Sequence, residues 1–506
     1  MPKSRRNRRS KPKRRQSVLG KAAGLRIPEA ISSDGIEGPQ KKPWPSADMR
    51  SPVLAQNVTQ IDYVEANAFL VALAAWQRGL KVTFHYSFAQ DRRFAHLPVT
   101  GHRGELFSVS DGKKRHSFYR TLGDLTSREA AALCDSKPDT KALLQQAGID
   151  VPTGVVVNPG QVSEAEDYLS RNPYQRFLLK PVDGTLSQGV SRNLSAQAVR
   201  LLLATSQKPM LLEEFVQGTE YRVYVVGDRV FSALIRRPAS VEGDGQHSIA
   251  QLVAQKASLR RKHPLYRNSP LVLDDNALLF LAKQGWQRDG IPAPGERIYL
   301  SDVPDSTAGG DLIDATNVLQ PLAQECAIRT ARTLDMPFTG IDLIVAENIS
   351  EDGNVSDDTS PRIIVLEANS APYIANSAVA FTGVFESPHN RVAEAIIDYY
   401  FPESVASRRH VKASFDFMQI CRILQSGTVG EVALPVLGHD WVHRSLRIAA
   451  TEINERTEPR IYNAMFTWGI HAQLIKSDVG DLVVDLVAPE DRYTAFLRAL
   501  TGQQAR

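Results

Sequence analysis

The chain has 506 residues, of which 42% are hydrophobic and 23% are charged, and its formal net charge is +4. This length exceeds what one hydrophobic core ordinarily organises, so we expect a globular protein of two to four domains. No apolar run approaches the ~18 residues that a membrane-spanning helix needs, so no membrane span is expected. Three scattered cysteines without metal-type spacing indicate packed thiols in a reducing cytoplasm.

Residues 1–52 differ in composition from the rest and are predicted to be a disordered basic tail and linker. Residues 1–15 contain nine basic and no acidic side chains, so the remaining chain carries a net negative charge. The tail could attract nucleic acid, but it has no aromatic residues for stacking on bases, and we expect a solvated tail. No apolar segment follows its positive charges, so a secretory signal is not expected.

Residues 53–136 are predicted to form a small α/β domain. A helical pattern begins at Ile61, a strand-like run follows at Leu80–Tyr86, and a second one at Glu105–Ser110 leads into a turn. We find no set of residues for nucleophilic or metal chemistry within it.

Two apolar, β-branched runs between Gly340 and Tyr373 are predicted to form an antiparallel pair of buried strands. Asp342 lies in the first run, and Glu367 and Asn369 lie in the second on one face of the strand. Buried carboxylates are costly unless they are paired or bind a cation, and oxygen ligands of this kind suit Mg²⁺. The alternative is a strand end at which the Glu and Asn side chains only cap a turn.

Spaced lysines and a glycine-containing loop precede these strands. Lys137 and Lys141 open a helical run, and Lys180 ends a strand just before the loop Asp183–Gly189. A cation beside free backbone N–H groups can cradle a phosphate. The loop lacks the Walker A spacing, and on its own this pattern also fits an ordinary surface turn.

Acidic residues end the next predicted strand. Glu213 and Glu214 close its apolar run, and Glu220 and Arg222 follow at the start of another strand. In chain order, the lysines, the glycine loop, the acid-ended strand and the late Asp…Glu-x-Asn resemble the ATP-grasp superfamily of carboxylate–amine ligases. The resemblance covers residues 136–402.

One segment narrows the resemblance to a branch of that superfamily. Residues 236–249 read Arg-Arg-Pro-Ala-Ser-Val-Glu-Gly-Asp-Gly-Gln-His-Ser-Ile, which is similar to the signature of cyanophycin-synthetase-like ligases. The branch also contains the bifunctional glutathione synthetases and N-acetylglutaminylglutamine synthetase. The resemblance implies an α/β and α+β multidomain protein, with a small α/β domain before an ATP-grasp fold and an extra α+β domain after it.

The resemblance also implies a site built from three groups of residues. The metal ligands for one or two Mg²⁺, with Mn²⁺ as an alternative, would be Asp342, Glu367 and Asn369. The residues near the transferring phosphoryl group and the substrate would be Arg222, Arg236, Gly309 and Gly310. The ATP-binding residues would be Lys137, Lys180, Asp183, Gly184, Ser187, Gly189, Glu213, Glu214, Phe215, Val216 and Glu220.

Each part of the nucleotide has an implied position. The two lysines would bind the phosphates under the glycine loop, the backbone of residues 213–216 would face adenine, and Glu220 would bind the ribose hydroxyls. A substrate carboxylate would attack the γ-phosphate to give an acyl phosphate and ADP, and an amine would then displace phosphate. No base is evident, because His247 is expected to make a hydrogen bond in its turn rather than to act in catalysis.

Several positions depart from the pattern of the branch. Leu186 and Ser187 lie in the loop where relatives commonly have small residues or Gly, which reduces backbone freedom. Ala308 and Asp311 replace the usual Thr residues around the double glycine. A carboxylate at 311 would repel an acidic substrate or recruit a cationic one.

The predicted domains are therefore 1–52, 53–136, an ATP-grasp domain at 137–405 with two subdomains, and an α+β domain at 412–506. In the last of these, residues 443–455 are predicted to be a helix and residues 461–475 to be strand-like.

Two functions are compatible with these patterns. The first is a cytoplasmic ligase for small-molecule or peptide carboxylates and amines, with no expected nucleic acid or membrane partner and with a homodimer left open. The second is a scaffold that keeps the ATP-grasp shell without turnover, and whose basic tail engages nucleic acid or an acidic partner.

Overall fold

The structure is a computed structural model, and the residues that it describes are 65–87, 103–161, 163–172, 175–182, 189–262, 266, 269–346, 361–378, 391–407, 414–438, 440–476 and 480–501. The chain divides into a larger unit, residues 38–439, and a smaller unit that contains residues 440–506. Several helices and five separate sheets are present among the described residues, so the predicted multidomain α/β and α+β class is confirmed. None of the described helices has the length and apolar character that a bilayer crossing requires.

The larger unit alternates helices and strands along most of its length. Its helices are α1 (Glu65–Gln77), α2 (Arg128–Asp135), α3 (Lys137–Gln146), α4 (Ser163–Arg171), α5 (Ala196–Thr205), α6 (Ile249–Lys262), α7 (Asp275–Lys283), α8 (Pro321–Thr333), α9 (Ala375–Ala378), α10 (Arg391–Tyr400) and α11 (Phe417–Gln425). Short 3₁₀ turns lie at Ser306–Ala308 and Pro402–Ser407.

The strands of this unit form four antiparallel sheets with the orders β16-β1-β2-β3-β4, β5-β8-β6-β7, β13-β10-β9-β14-β15 and β11-β12. They are β1 (Lys81–His85), β2 (Leu106–Ser110), β3 (Arg115–Tyr119), β4 (Leu122–Gly123), β5 (Gly154–Val157), β6 (Phe177–Pro181), β7 (Ser191–Leu194), β8 (Met210–Glu214), β9 (Gly218–Val226), β10 (Arg229–Arg237), β11 (Ser240–Glu242), β12 (Arg297–Tyr299), β13 (Asp311–Asp314), β14 (Phe338–Ala346), β15 (Ile363–Asn369) and β16 (Glu431–Ala433).

The first sheet contains a strand from beyond residue 412, where the boundary of the last domain was expected. Its edge strand β16 pairs with β1, with Thr83 opposite Ala433, although some 350 residues separate them. Phe417 on α11 packs against Phe84 of β1, with ring centroids 5.6 Å apart. Residues 414–438 therefore complete the small domain that residues 65–123 begin, because their apolar side chains are buried there and not in the smaller unit.

The third sheet contains the predicted antiparallel pair β14–β15. Its register places Gly340 opposite Asn369 and Asp342 opposite Glu367, with an irregularity after Asp342. Helices α2, α3 and α8 cover one side of this sheet, where alanines of α8 pack against Val223, Ile341 and other aliphatic residues. The opposite side carries the polar side chains of the strands.

The smaller unit contains β17 (Trp441–Ile448), α12 (Thr457–Trp468), β18 (His471–Lys476), β19 (Leu482–Pro489) and α13 (Glu490–Thr501), with the sheet order β17-β19-β18. The predicted helix at 443–455 is wrong, because residues 441–448 form a strand in which Leu446 and Ile448 alternate into the core. The predicted strand at 461–475 is also wrong over its first part. Ile461 and Ala464, three positions apart, instead face the core from helix α12.

Candidate active site

Helix α3 places two lysines on one side of the larger unit. Ser136 is its N-cap residue, and the Ser136 Oγ donates to Asp139 Oδ2 at 2.6 Å, with Pro138 in the first turn. Lys137 and Lys141 are four positions apart and so lie on the same face of the helix.

Glu213 on β8 joins two of the site's lysines. Its side chain is buried, Lys180 Nζ lies 2.8 Å from Glu213 Oε2, and Lys141 Nζ contacts the other carboxylate oxygen. Burial, together with the positive charge of Lys180, lowers the pKa of Lys141 to about 6. Burial also lowers the pKa of Lys180, to about 8. Two lysine side chains therefore share one buried carboxylate, and burial disfavours their charged forms.

Asp342 is neutralised by two arginines from adjacent strands. It lies directly opposite Arg222, whose Nη2 donates to Asp342 Oδ2 at 2.9 Å, and Arg236 Nη1 donates to the same oxygen at 3.1 Å. Burial alone would raise the pKa of Asp342, but these two cations outweigh it and hold the pKa below its usual value. Arg222 and Arg236 therefore belong to the same cluster as the predicted metal ligands.

Glu367 has the opposite electrostatic environment. Burial and the negative charge of Asp342 together raise the pKa of Glu367. The Asn369 Nδ2 lies 3.4 Å from Glu367 Oε1 and donates to the carbonyl of Gly340 at 3.3 Å. The structure therefore brings the three predicted metal ligands together, and it leaves Glu367 without full charge compensation.

These three side chains fit a magnesium ion by the chemistry of their donors. No group of three or more His, Cys, Asp or Glu side chains suited to a metal occurs within the described ranges, but Asn369 adds an amide oxygen to two carboxylates. Mg²⁺ prefers oxygen ligands and usually keeps several waters, so two carboxylates and one amide are a sufficient protein contribution. A cation would also remove the repulsion that raises the pKa of Glu367.

The lysine side and the carboxylate side of the site lie close enough to interact electrostatically. The charges of Glu367, Lys137 and Glu220 all act on the pKa of Lys180. Lys137 also acts on the pKa of Glu367. The predicted phosphate-binding lysines and the predicted metal ligands thus form one charged cluster between the second and third sheets.

Glu220 is held between arginines rather than standing alone. Arg236 Nη1 donates to Glu220 Oε1 at 3.0 Å, and Arg192 Nη1 lies 3.6 Å from Glu220 Oε2. Because Glu220 and Arg222 are two positions apart on β9, their side chains share one face of the strand. This face is the one that carries the cluster.

The segment that was expected to face adenine is partly engaged elsewhere. The N–H of Glu214 donates to the carbonyl of Thr153 and that of Phe215 to the carbonyl of Arg176. The Glu214 side chain accepts from the N–H of Thr153 at 3.0 Å. These two N–H groups therefore connect strands, whereas Val216, at the end of the segment, is half-buried.

The glycine loop is described only at its end. Asp183, Gly184 and Ser187 lie outside the described residues. Gly189 has φ +71°, a conformation that favours glycine, and an added Cβ there would lie 3.0 Å from Pro181 Cγ.

The double glycine is held by a buried ion cluster, which corrects the expected role of Asp311. Arg260 is fully buried, and its Nη1 donates to the carbonyl of Gly310 at 3.0 Å and to Asp311 Oδ1 at 2.9 Å. Lys256 Nζ donates to Asp311 Oδ2 at 2.5 Å. Asp311 is thus compensated inside the protein and does not select a substrate by its charge. Gly309 adopts φ +90°.

The turn before the double glycine acts on the charged cluster through Arg236. The carboxylate of Asp305, which caps the turn before Gly309, acts electrostatically on Arg236. The contacts of Gly310 are with Arg260 and with the backbone around it.

Replacement of Gly310 by Ala is expected to destabilise the larger unit. An added Cβ would lie 2.7 Å from the carbonyl oxygens of Arg237 and Asp305, which are backbone atoms that cannot move away independently. We expect a loss of roughly 1–3 kcal/mol, the range of overpacking. Thermal unfolding would measure it, with Gly430→Ala as the control, because no atom lies within 4 Å of a Cβ added there. Equal melting temperatures for the two variants would contradict the expectation.

His247 has the structural role that was expected of it. Its Nδ1 lies 2.6 Å from Asp244 Oδ2, and Asp244 Oδ1 accepts from the backbone N–H groups of Gln246 and His247. These contacts close the turn before α6.

Three site residues were not predicted from the sequence: Lys141, Arg192 and Arg260. The four-residue spacing from Lys137 is a signal that could have identified Lys141. Arg192 lies in the short strand β7 after the glycine loop, and one basic residue at that place is a weak signal. Arg260 reads as one of several basic residues at the end of α6, and nothing in the sequence separates it from them.

Comparison with known proteins finds relatives that match a little more than half of the chain. No protein-family model matches the chain. The chain is 30% identical over 327 residues to the glutathione biosynthesis bifunctional protein GshAB of Desulfotalea psychrophila, a match covering 56% of this chain and 40% of the relative. It is 27% identical over 311 residues to cyanophycin synthetase of Geminocystis herdmanii, covering 60% of this chain and 34% of the relative.

The crystal structure of a bifunctional glutathione synthetase from Pasteurella multocida aligns with 25% identity and a TM-score of 0.45, over 59% of this chain and 40% of the other. The chain therefore spans 34–40% of the length of these relatives.

Proposed function

We propose that this chain, a member of the ATP-grasp superfamily in the branch of the glutathione synthetases and cyanophycin synthetase, is an ADP-forming ligase that joins a carboxylate to an amine. The observation that carries the proposal is the single cluster in which Lys137 and Lys180 act electrostatically on Glu367, the partner of Asp342 across two strands. Cations for phosphates and oxygen ligands for a metal are the groups that phosphoryl transfer needs.

In this proposal the nucleotide lies between the two sheets that carry the cluster. Lys137 and Lys180 bind its phosphates, and Glu220 binds the ribose hydroxyls. Asp342, Glu367 and Asn369 would hold Mg²⁺, which when bound neutralises charge on the β- and γ-phosphates.

The reaction then proceeds in two steps. A substrate carboxylate oxygen attacks the γ-phosphorus, the bond to the β-phosphate oxygen breaks, and an acyl phosphate and ADP form. An amine nitrogen next attacks the acyl carbon, and it loses a proton as phosphate leaves, to give an amide. The substrate class is an amino acid or a small peptide.

The two arginines contribute differently in this scheme. Arg222 forms a two-point pair with Asp342 and is 13% exposed, so it orients that carboxylate. Arg236 is shared between Glu220 and Asp342 and is 21% exposed. Arg236 is therefore the better placed of the two to stabilise negative charge on the transferring phosphoryl group.

The proposal is tested by measuring ADP release from purified protein with ATP and Mg²⁺ across amino acids and N-acyl amino acids, paired with amine acceptors. We expect release that requires one carboxylate and one amine together, that stops when the metal is chelated, and that yields an amide product by mass spectrometry. The alternative, a scaffold without turnover, predicts no ADP release with any pair. Absence of both release and nucleotide binding would reject the ligase.

A further inference from the structure

Arg192 is a partly buried cation for which the sequence suggested no role. It lies on β7, three residues after Gly189 at the end of the glycine loop, and its side chain is 18% exposed. Its Nη1 is 3.6 Å from Glu220 Oε2, longer than a hydrogen bond. Its Nε is buried and donates no hydrogen bond within the described part of the chain. A guanidinium has five N–H donors, so Glu220 leaves most of them available for another acceptor.

Other cations lie near Arg192. Its positive charge, like that of Lys137, acts to lower the pKa of Lys180. The nearby carboxylate of Glu220 is already shared with Arg236, which approaches to 3.0 Å. Cations that are brought together in a partly buried region are stabilised when a polyanion binds among them.

We propose that Arg192 binds phosphate oxygens at the ribose end of the nucleotide's triphosphate chain. The inference rests on the proposed function, in which Glu220 marks the ribose and Lys180 marks the phosphates. Arg192 lies beside Glu220 and interacts electrostatically with Lys180. It therefore lies where the ribose is joined to the α-phosphate. Arg suits this position because its planar donors match phosphate geometry, which a single ammonium group does not.

A purely structural ion pair is the alternative, and it makes a different prediction. If Arg192 only neutralised Glu220, its removal would disturb Glu220 and hence the ribose contact. Binding of adenosine, which has no phosphate, would then weaken as much as binding of AMP or ATP.

The experiment compares Arg192→Met with the wild-type chain by calorimetric titration of ATP, AMP and adenosine at one fixed salt concentration. We expect affinity for ATP and AMP to fall roughly ten- to a hundredfold, the range of a hydrogen bond to a charged group. We expect affinity for adenosine to stay within about twofold. Arg192→Lys should recover part of the loss, because it keeps the charge and loses the fork of donors.

The matched control is Arg200→Met, which removes an exposed arginine that pairs with Glu166 on the surface. It should leave all three affinities unchanged, and thermal unfolding of each variant would show that it is folded. Equal losses of affinity for adenosine and AMP in Arg192→Met, or no loss for any ligand, would overturn the inference about Arg192. Binding of ATP by the wild-type chain would in that case still support the nucleotide site. Failure of the wild-type chain to bind any nucleotide would instead reject the proposed function itself.

Discussion

Replacement of Glu367 by Gln is expected to reduce the proposed ligase activity strongly without reducing stability. The variant keeps the size of the side chain and removes one charged oxygen ligand, so ADP release should fall by about 10²–10³-fold. Glu367 is buried beside Asp342 and its pKa is raised, which means that its ionised form is less favourable in the folded chain than in the unfolded chain.

The sign of the stability effect follows from this shift. Because the pKa of Glu367 is higher in the folded chain, the folded state keeps this proton to a higher pH than the unfolded state does. The free energy of unfolding therefore falls as the pH rises from the unfolded pKa of about 4.3 through the folded pKa. At neutral pH and without metal, the Gln variant should therefore melt at or above the wild-type temperature. The difference should disappear below the ordinary glutamate pKa, where both side chains are neutral.

Thermal unfolding at several pH values, together with ADP release, would measure both effects. Glu166→Gln is the matched control, because this glutamate is exposed and pairs only with Arg200 among the described residues. Surface pairs contribute about 0–1 kcal/mol, so this control should keep its activity and nearly all of its stability. Full activity in Glu367→Gln, or a melting temperature well below wild type, would contradict the proposed metal site.

Replacement of Arg260 by Met is expected to destabilise the larger unit by about 3–5 kcal/mol, the range for breaking a buried ion pair. The guanidinium is fully buried and donates to Asp311 and to the carbonyls of Gly310, Ser306 and Ser269. Methionine would leave these acceptors without their buried donor and Asp311 with Lys256 alone. Urea unfolding followed by circular dichroism would measure the loss, and hydrogen exchange would locate it at residues 306–311.

The control for this variant is the neighbouring residue. Arg261→Met removes an exposed cation from the same turn of α6 and should change the free energy of unfolding by less than about 0.5 kcal/mol. Asp311→Asn, which keeps an acceptor for Arg260, should cost less than Arg260→Met. If the three variants unfold alike, the buried cluster does not hold the double glycine.

The local patterns were predictable because they depend on residues near one another in the chain. Alternation with a period of two correctly predicted the strands β14 and β15 and the shared face of Glu367 and Asn369. The order of the motifs predicted a resemblance to the bifunctional glutathione synthetases and cyanophycin synthetases, and the relatives that the chain matches include a GshAB protein and a cyanophycin synthetase. Short amphipathic segments were ambiguous, and residues 443–455 were assigned to a helix because their apolar positions fit either period.

The tertiary structure alone decided which charges meet. Arg222 and Arg236 neutralise Asp342, Arg192 lies beside Glu220, and Asp311 is compensated by Arg260. Packing also placed residues 414–438 with the sheet that begins at residue 81. A sequence pattern records the preference of each segment for helix or strand. The ion pairs named here join residues up to 120 positions apart, and they form only when packing fixes the distance between the segments.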